Sequence, residues 1–448
     1  MDPFENEITD FLQKWPDIEF IDLIFTDVNA TPRGKRIPIS ALPKVVKGIY
    51  LPVSTISLNI VGSVVEEAGL GEAIGEPDNI CFPVQGSLAP TAKNNVGQLL
   101  LTMMDEQGDK PNRLSIRNIL SDLVDKLHSR GQFPMIALEL EFYLLDRKRA
   151  ADGSIQAPIN PVKNNREMKT EVYDVNGLDD YEDFLSAFNA QAKRLNLNTS
   201  GMLIESAPGQ FELNFNHQND VLNACDQVIY AKRLIRQVAT QFDFDVTFMA
   251  KPFADEAGNG KHIHISVVDQ QGDNLLSDKA GNESPLFLQM MAAMLDMIPS
   301  SIALLCPSIN SYRRFSTGMY TPVKANWGKN HRGVALRVPS SNGQNRRIEH
   351  RIAGADVNPY ILTAVVISSV LASEHFTALQ CPPALDEKSN TFPLRMPEAL
   401  EQLLNNELLN EYLTPEFLTL YKVCKESELA QFEKTITTLE VDWMLYSA

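Results

Sequence analysis

The chain has 448 residues, 44% of them apolar and 22% charged, which is enough to bury a sizeable core in one large domain or two ordinary ones. A formal net charge of −17 argues against nucleic acid as partner and mildly favours a cationic ligand. Five scattered cysteines, Cys81, Cys225, Cys306, Cys381 and Cys424, form neither a disulfide framework nor a zinc motif, and point to a reducing, cytoplasmic setting.

The N-terminal MDPFENEITDF lacks a basic segment followed by an apolar run, so no signal peptide is expected. A short helix from Ile8 to Lys14 leads into EFIDLIFTD and RGKRIPIS, read as a hairpin turning near Asn29–Gly34. A Gly- and Glu-rich loop, Val64 to Asp78, precedes the strand-like LLLTMMD. The polar segment EQGDKPN, Glu106 to Asn112, marks the boundary between residues 1–107 and 108–448. Ser115 is placed to cap a helix running through Leu127. Strands then alternate with helices, including Tyr181 to Leu195 and Val221 to Phe242, and the stretch from Pro397 to Leu439 is helical. The most apolar region, Leu288 to Cys306, is interrupted by Asp296 and Pro299. It falls short of the roughly 20 uninterrupted apolar residues of a membrane span.

Four strand-like stretches share one unusual pattern. Residues two apart along a strand share a face. In MIALELEFYLLD, Ile136, Leu138, Leu140 and Phe142 face one way, and Glu139 and Glu141 the other. GQFELNFN sets Glu212, Asn214 and Asn216 against Phe211, Leu213 and Phe215, with Glu205 seven residues before Glu212. GKHIHIS sets His262, His264 and Ser266 against Ile263 and Ile265, and RRIEHRI sets Arg347, Glu349 and Arg351 against Ile348, His350 and Ile352. Taken singly, each pattern also fits a solvated strand face or a surface salt-bridge ladder. Taken together, they describe a curved sheet, apolar outside and charged on its concave side. Carboxylates with a histidine form a hard, oxygen-rich ligand set suited to Mg²⁺ or Mn²⁺. Arginines beside them supply forks for phosphate or carboxylate, the equipment of phosphoryl transfer. No GxxxxGK[ST] loop is present, so a nucleotide must be held by another architecture.

In order, the motifs ELEFYLLD, IESAPGQFEL, KPFADEAGNGKHIHIS, NSYRRFSTGMYTP, NHRGVALRVP, RRIEHRIAGADVNPY and EVDWMLYSA resemble the glutamine synthetase superfamily along nearly the whole chain. The resemblance implies an α+β fold, with a small N-terminal β-grasp-like domain and a large C-terminal catalytic domain. The latter's curved antiparallel sheet forms a half-barrel surrounded by helices. It implies two or more Mg²⁺ (or Mn²⁺) ions per subunit, one held by Glu141, Glu205 and Glu212 and another by Glu139, His262 and Glu349. His264, Ser266, Arg332, Arg337 and Arg347 match positions contacting ATP phosphates or the transferring phosphoryl group. Arg314, Arg351 and the backbone at Gly258 match positions holding glutamate, and Arg332, Arg314 and Tyr320 are the candidate catalytic residues. It implies further a homo-oligomer, a dodecamer of two hexameric rings, in which the N-terminal domain of one subunit completes the neighbour's active site.

The sequence also departs from the ammonia-using members. Tyr320 stands where they carry a flap glutamate, six residues after Arg314. No acid lies between Tyr50 and Gly62, where they carry an ammonium-binding aspartate. Phe392 replaces the tyrosine of the adenylylation loop, and Ala257 an asparagine that contacts glutamate. The pattern is similar to the branch that joins L-glutamate to organic amines, the γ-glutamylpolyamine and γ-glutamylputrescine synthetases, with ATP, glutamate and a diamine or polyamine as substrates. The acidic Val64–Asp78 loop is placed to attract a second ammonium group, and Trp327 to border the amine or nucleotide pocket or the core. The alternatives are a glutamine synthetase using ammonium and a non-catalytic structural relative.

Overall fold

In the computed structural model, which describes residues 3–169, 172–315 and 320–447, the strands gather into two sheets. Helix α1 (Pro3–Lys14) precedes the first sheet, built from β1 (Phe20–Thr26), β2 (Pro32–Pro38), β3 (Ile49–Pro52), β4 (Asp78–Pro83), β5 (Ala89–Pro90) and β6 (Val96–Met103). Its order is β2-β1-β6-β4-β3, with β5 beside β6, and β1 runs parallel to β6. The β1–β2 hairpin forms as the sequence predicts, in register from Phe20 opposite Pro38 to Thr26 opposite Pro32. At Gly34, φ is +143° and a Cβ would lie 2.0 Å from the Leu23 carbonyl oxygen. Only glycine lets the strands close there.

After the turn at Asp105–Lys110, helix α2 (Ile116–Ser129) begins the larger unit. Ser115 occupies its N-cap, but its side chain makes no cap bond. The helix start is tied down by the Asn118 amide instead, which donates to Met103 O and Asn112 O. The second sheet comprises β7 (Phe133–Asp146), β8 (Thr199–Ile204), β9 (Gln210–Phe215), β10 (Phe244–Thr247), β11 (Ile263–Val268), β12 (Trp327–Lys329), β13 (Leu336–Val338) and β14 (Ile348–His350). Its order is β12-β13-β14-β11-β7-β9-β8, with β10 on the far end of β7. Every pairing is antiparallel except β12 with β13.

Helices α3 (Val175–Asp180), α4 (Glu182–Arg194), α5 (Val221–Ala239), α6 (Pro285–Leu305) and α7 (Pro359–Ala372) accompany this sheet. Asn358 caps α7, Pro359 starts it, and all its residues are buried. A helix apolar on every side belongs inside a core. Helix α6 runs unbroken through Asp296 and Pro299, the two residues that interrupt its apolar run. It is long and apolar enough to cross a membrane, yet 78% of its most apolar window is buried within the chain, and we describe it as a core helix. Helices α8 (Met396–Gln402), α9 (Glu407–Leu413), α10 (Pro415–Glu433) and α11 (Thr438–Met444) close the chain.

The outer side chains of β7 anchor the sheet. Leu138, Leu140 and Phe142 are at most 1% exposed and join the main core with Phe211, Leu213 and Ile263. Burying each such side chain stabilises the fold by about 1.5–3 kcal/mol. That apolar layer fixes the register, because a slip of one residue would turn Glu139 and Glu141 into the core.

Candidate active site

The antiparallel register stacks the charged residues across neighbouring strands. Glu141 lies opposite Glu212, and Glu139 opposite Asn214. On the other side of β7, His264 lies opposite Glu349 of β14, which in turn faces Arg337 of β13. The free edge of β7 beyond β11 is held by the preceding loop, with Glu139 N donating to His262 O at 3.0 Å and Glu141 N to Gly260 O at 3.2 Å. The segment Gly260–His262 is thereby laid directly along the two glutamates.

Glu139 is the hub. It accepts from His262 Nδ1 at 2.8 Å and His264 Nε2 at 2.7 Å. Burial pushes its carboxyl up, but the two imidazoles outweigh this and hold it well below the usual range. Glu141 accepts from Gly260 N at 2.6 Å. A Cβ on Gly260 would come within 2.9 Å of His262 Nε2 and 3.1 Å of Glu141 Oε1, so glycine keeps that space open. Glu205 turns back onto Ser206, and burial with the Glu141 charge raises its pKa. Glu212 is pushed furthest, up to about 9, by burial and by the charges of Glu139, Glu141 and Glu205.

Glu349 lies in a different setting. Arg337 Nη1 donates to it at 2.7 Å and Arg351 Nη1 contacts its other oxygen. Its pKa is lowered, because His262, Arg351 and His264 outweigh its burial. Arg351 Nε also donates to Arg332 O at 3.2 Å, and Arg332 Nη1 donates to the Tyr173 hydroxyl at 3.0 Å. Arg314 is buried over Gly258 and donates through Nη1 to Ile352 O at 2.8 Å. The Nε donors of Arg314 and Arg337 are buried without a partner among the described residues.

Two groups of ligand atoms within 4.8 Å of one another emerge among the described residues: Glu139, Glu212 and His262, and Glu139, His264 and Glu349. All six expected metal ligands line one face, but the trio Glu141, Glu205 and Glu212 does not gather as tightly, and His264 stands among the candidate ligands. The donor set of clustered carboxylates with imidazole, one carboxyl raised to about 9, fits a hard divalent cation.

Beside the carboxylates opens a cavity of about 1040 Å³, lined by Ser266, Arg347, Ser340, Asn345 and His217 among others. Arg347 reaches His264 Nδ1 at 3.4 Å. Tyr320 is 74% exposed and stands apart from the packed set, and residues 316–319 of the motif that bears it lie outside the described residues. Trp327 is a core indole, packed on Phe287 and donating Nε1–H to Pro382 O at 2.8 Å.

Sequence reasoning missed several neighbours. Tyr143 extends the Glu139–Glu141 alternation by two residues, and its hydroxyl donates to Ala257 O at 2.6 Å. Gln210, inside a quoted motif, donates to Gly258 O at 3.1 Å and Asn259 Oδ1 at 3.0 Å. The ring of His217 lies 5.9 Å from that of His264, and burial pulls its pKa down to about 4. The acid-free stretch from Tyr50 to Gly62 is met in space by Glu76, which accepts from Ser54 Oγ at 2.5 Å. No local sequence signal announces the Tyr173 and Glu76 contacts, since both join loops.

The profile described as "Glutamine synthetase, catalytic domain" matches residues 113–444. The chain is 44% identical to the γ-glutamylputrescine synthetase PuuA of Escherichia coli (strain K12) over 454 aligned residues, covering 99% of this chain and 95% of that protein. It is 27% identical to a glutamate–isopropylamine ligase of a Pseudomonas species, covering 82% and 80%. Among solved structures, a GmaS/ADP complex superposes with a TM-score of 0.83 at 23% identity, covering 98% of this chain and 99% of that one. This chain belongs to the glutamine synthetase family.

Proposed function

We propose that the protein is an ATP-dependent ligase joining the γ-carboxylate of L-glutamate to an organic amine, a diamine or polyamine such as putrescine or spermidine. The observation that carries this reading is the clustering of Glu139, Glu212, Glu349, His262 and His264, next to a cavity that Arg347 and His217 line, in a chain of the γ-glutamylputrescine synthetase branch.

In the proposed assignment, Arg314, Arg351 and the Gly258 backbone hold glutamate, while His264, Ser266, Arg337 and Arg347 hold the phosphates of ATP. Glu139, Glu141, Glu205, Glu212, His262 and Glu349 hold Mg²⁺ or Mn²⁺, which when bound neutralises phosphate charge. A glutamate γ-oxygen attacks the γ-phosphorus of ATP and ADP leaves. The amine nitrogen then attacks the resulting acyl phosphate, phosphate departs with the C–O bond electrons, and the nitrogen loses a proton. Arg332, which donates to the Tyr173 hydroxyl, stabilises charge on the transferring group in this assignment. Tyr320 offers a phenol, not a carboxylate, at the position where ammonium would need an acid to hold it.

The division at residues 107 and 108, a cytoplasmic location and a dodecamer of two hexameric rings belong to the same reading. The location is supported by five free cysteines. Oligomerisation is supported by the C-terminal segment, where Ile436, Leu439, Trp443, Leu445 and Tyr446 are all exposed. So large an apolar surface on one chain calls for cover by a second copy.

ADP release measured with ATP, Mg²⁺ and glutamate across ammonium, monoamines, diamines and polyamines tests the function. Burying about four methylenes is worth roughly 3 kcal/mol, so kcat/KM for putrescine or a longer polyamine is expected to exceed that for ammonium about 100-fold. Tyr320→Glu is expected to narrow the gap. Equal use of ammonium and diamines by the unmodified protein would assign it as a glutamine synthetase instead.

A further inference from the structure

None of these steps uses the run from Arg33 to Arg36 on β2. The hairpin register sets Lys35 against Leu23 and Arg36 against Asp22. Helix α5 faces this hairpin with Arg233 and Arg236, and the cleft between them has a volume of about 450 Å³. Arg33, Lys35, Arg36, Arg233 and Arg236 all line it.

Two carboxylates answer these five cations. Asp22 accepts from Arg36 Nε at 2.6 Å and Nη2 at 3.0 Å, and also pairs with Arg233. Asp27 accepts from Arg33 Nε at 2.8 Å. Lys35 and Arg236 meet no carboxylate within ion-pair distance among the described residues. Arg236 lies over Phe248, 4.9 Å from the ring centre, which holds its guanidinium in place. Lys232, also on the wall, is turned away onto Ala355 O and adds nothing to the surplus.

A surplus of cations in one concavity is the exception in a chain of net charge −17. The cleft falls within the volume range of small-molecule sites, roughly 300–1,000 Å³. Guanidinium forks match pairs of phosphate oxygens, and the lysine adds a point charge. We infer that the cleft between the β1–β2 hairpin and α5 binds a small, multiply charged phosphate-type anion. An anion bridging Lys35 and Arg236 ties the first sheet to α5 of the larger unit, so occupancy stiffens the joint between them.

The test is calorimetric titration of the assembled protein with inorganic pyrophosphate at low ionic strength without divalent cations, and in parallel with AMP. Lys35→Glu combined with Arg236→Glu is expected to weaken pyrophosphate binding at least about tenfold, while Arg347→Gln, in the ATP cavity, leaves it unchanged. Lys35 is exposed, so Lys35→Gln alone serves if the double variant does not fold, with a smaller loss in the same direction. Pyrophosphate binding that AMP does not match assigns the site to a free phosphate group; tighter AMP binding assigns it to a nucleotide. Absence of pyrophosphate binding to the unmodified protein would overturn the inference, as would binding lost in Arg347→Gln but kept in the double variant. Dissociation of the oligomer by Lys35→Gln, with no anion bound beforehand, would give the cleft to a second copy of the chain and also overturn it.

Discussion

The two ends of the concave face carry the same residue type in opposite electrostatic states. Glu349, at the β14 end, is clamped by Arg337 and Arg351 and held low. Glu212, at the β9 end, faces Glu141 across the ladder and has Glu139 and Glu205 nearby, and it is pushed up to about 9. Both are buried glutamates on the same sheet. What separates these two residues is their neighbours: two arginines stand beside Glu349, and three carboxylates beside Glu212.

The comparison can be broken most strongly at the β9 end. Glu205→Ala or Glu141→Ala removes a carboxylate from the surplus, and the remaining ligands cannot close a divalent cation's shell. ADP release is expected to fall about 10²–10³-fold, with the circular dichroism spectrum and melting cooperativity retained. Ordinary activity at limiting Mg²⁺ would contradict the contrast between the ends.

At the β14 end the expected effect falls on folding. Glu349→Gln leaves buried Arg351 and half-buried Arg337 without their counter-charge, and losing one partner of such a set costs up to about 3–5 kcal/mol. Urea denaturation followed by fluorescence measures it. A Glu349→Gln variant as stable as the parent would show that the arginines do not rely on this carboxylate. A smaller effect is expected at Arg332, where Tyr173→Phe deletes the acceptor of its guanidinium. One neutral-to-charged hydrogen bond supports a loss of about fivefold in kcat/KM, with the fold intact.

The alternation that defines this face was legible in the sequence, because side chains two apart on β7, β9, β11 and β14 must share a side. The apolar partners Leu140, Phe142 and Phe211 fixed which side was inward. What stayed illegible depends on contacts between distant segments. Nothing local indicates that Glu212 would be opposite Glu141, that Glu139 would claim both histidines, or that Glu76 would reach Ser54. The continuity of α6 through Pro299 was illegible for a related reason. Pro299 costs a hydrogen bond and strains one turn, but burial of Met294, Ile298 and Ile302 on neighbouring turns keeps the helix continuous. Ser115 was placed correctly at the N-cap, but its side chain makes no cap bond, and the Asn118 amide ties the helix start to the preceding segment.

The most direct test is melting temperature against pH, with EDTA and with Mg²⁺, for the parent and for Glu212→Gln. A carboxyl whose folded pKa lies above its ordinary 4.5, at about 9, binds protons more tightly folded than unfolded. Its contribution to stability is therefore complete at low pH and is lost as pH rises through that window. In EDTA the parent is expected to lose melting temperature between about pH 5 and 9, Glu212→Gln to lose less, and Mg²⁺ to restore the parent but not the variant. Parallel curves for the two proteins in EDTA, or equal stabilisation of both by Mg²⁺, would contradict the account of Glu212 as a cation ligand.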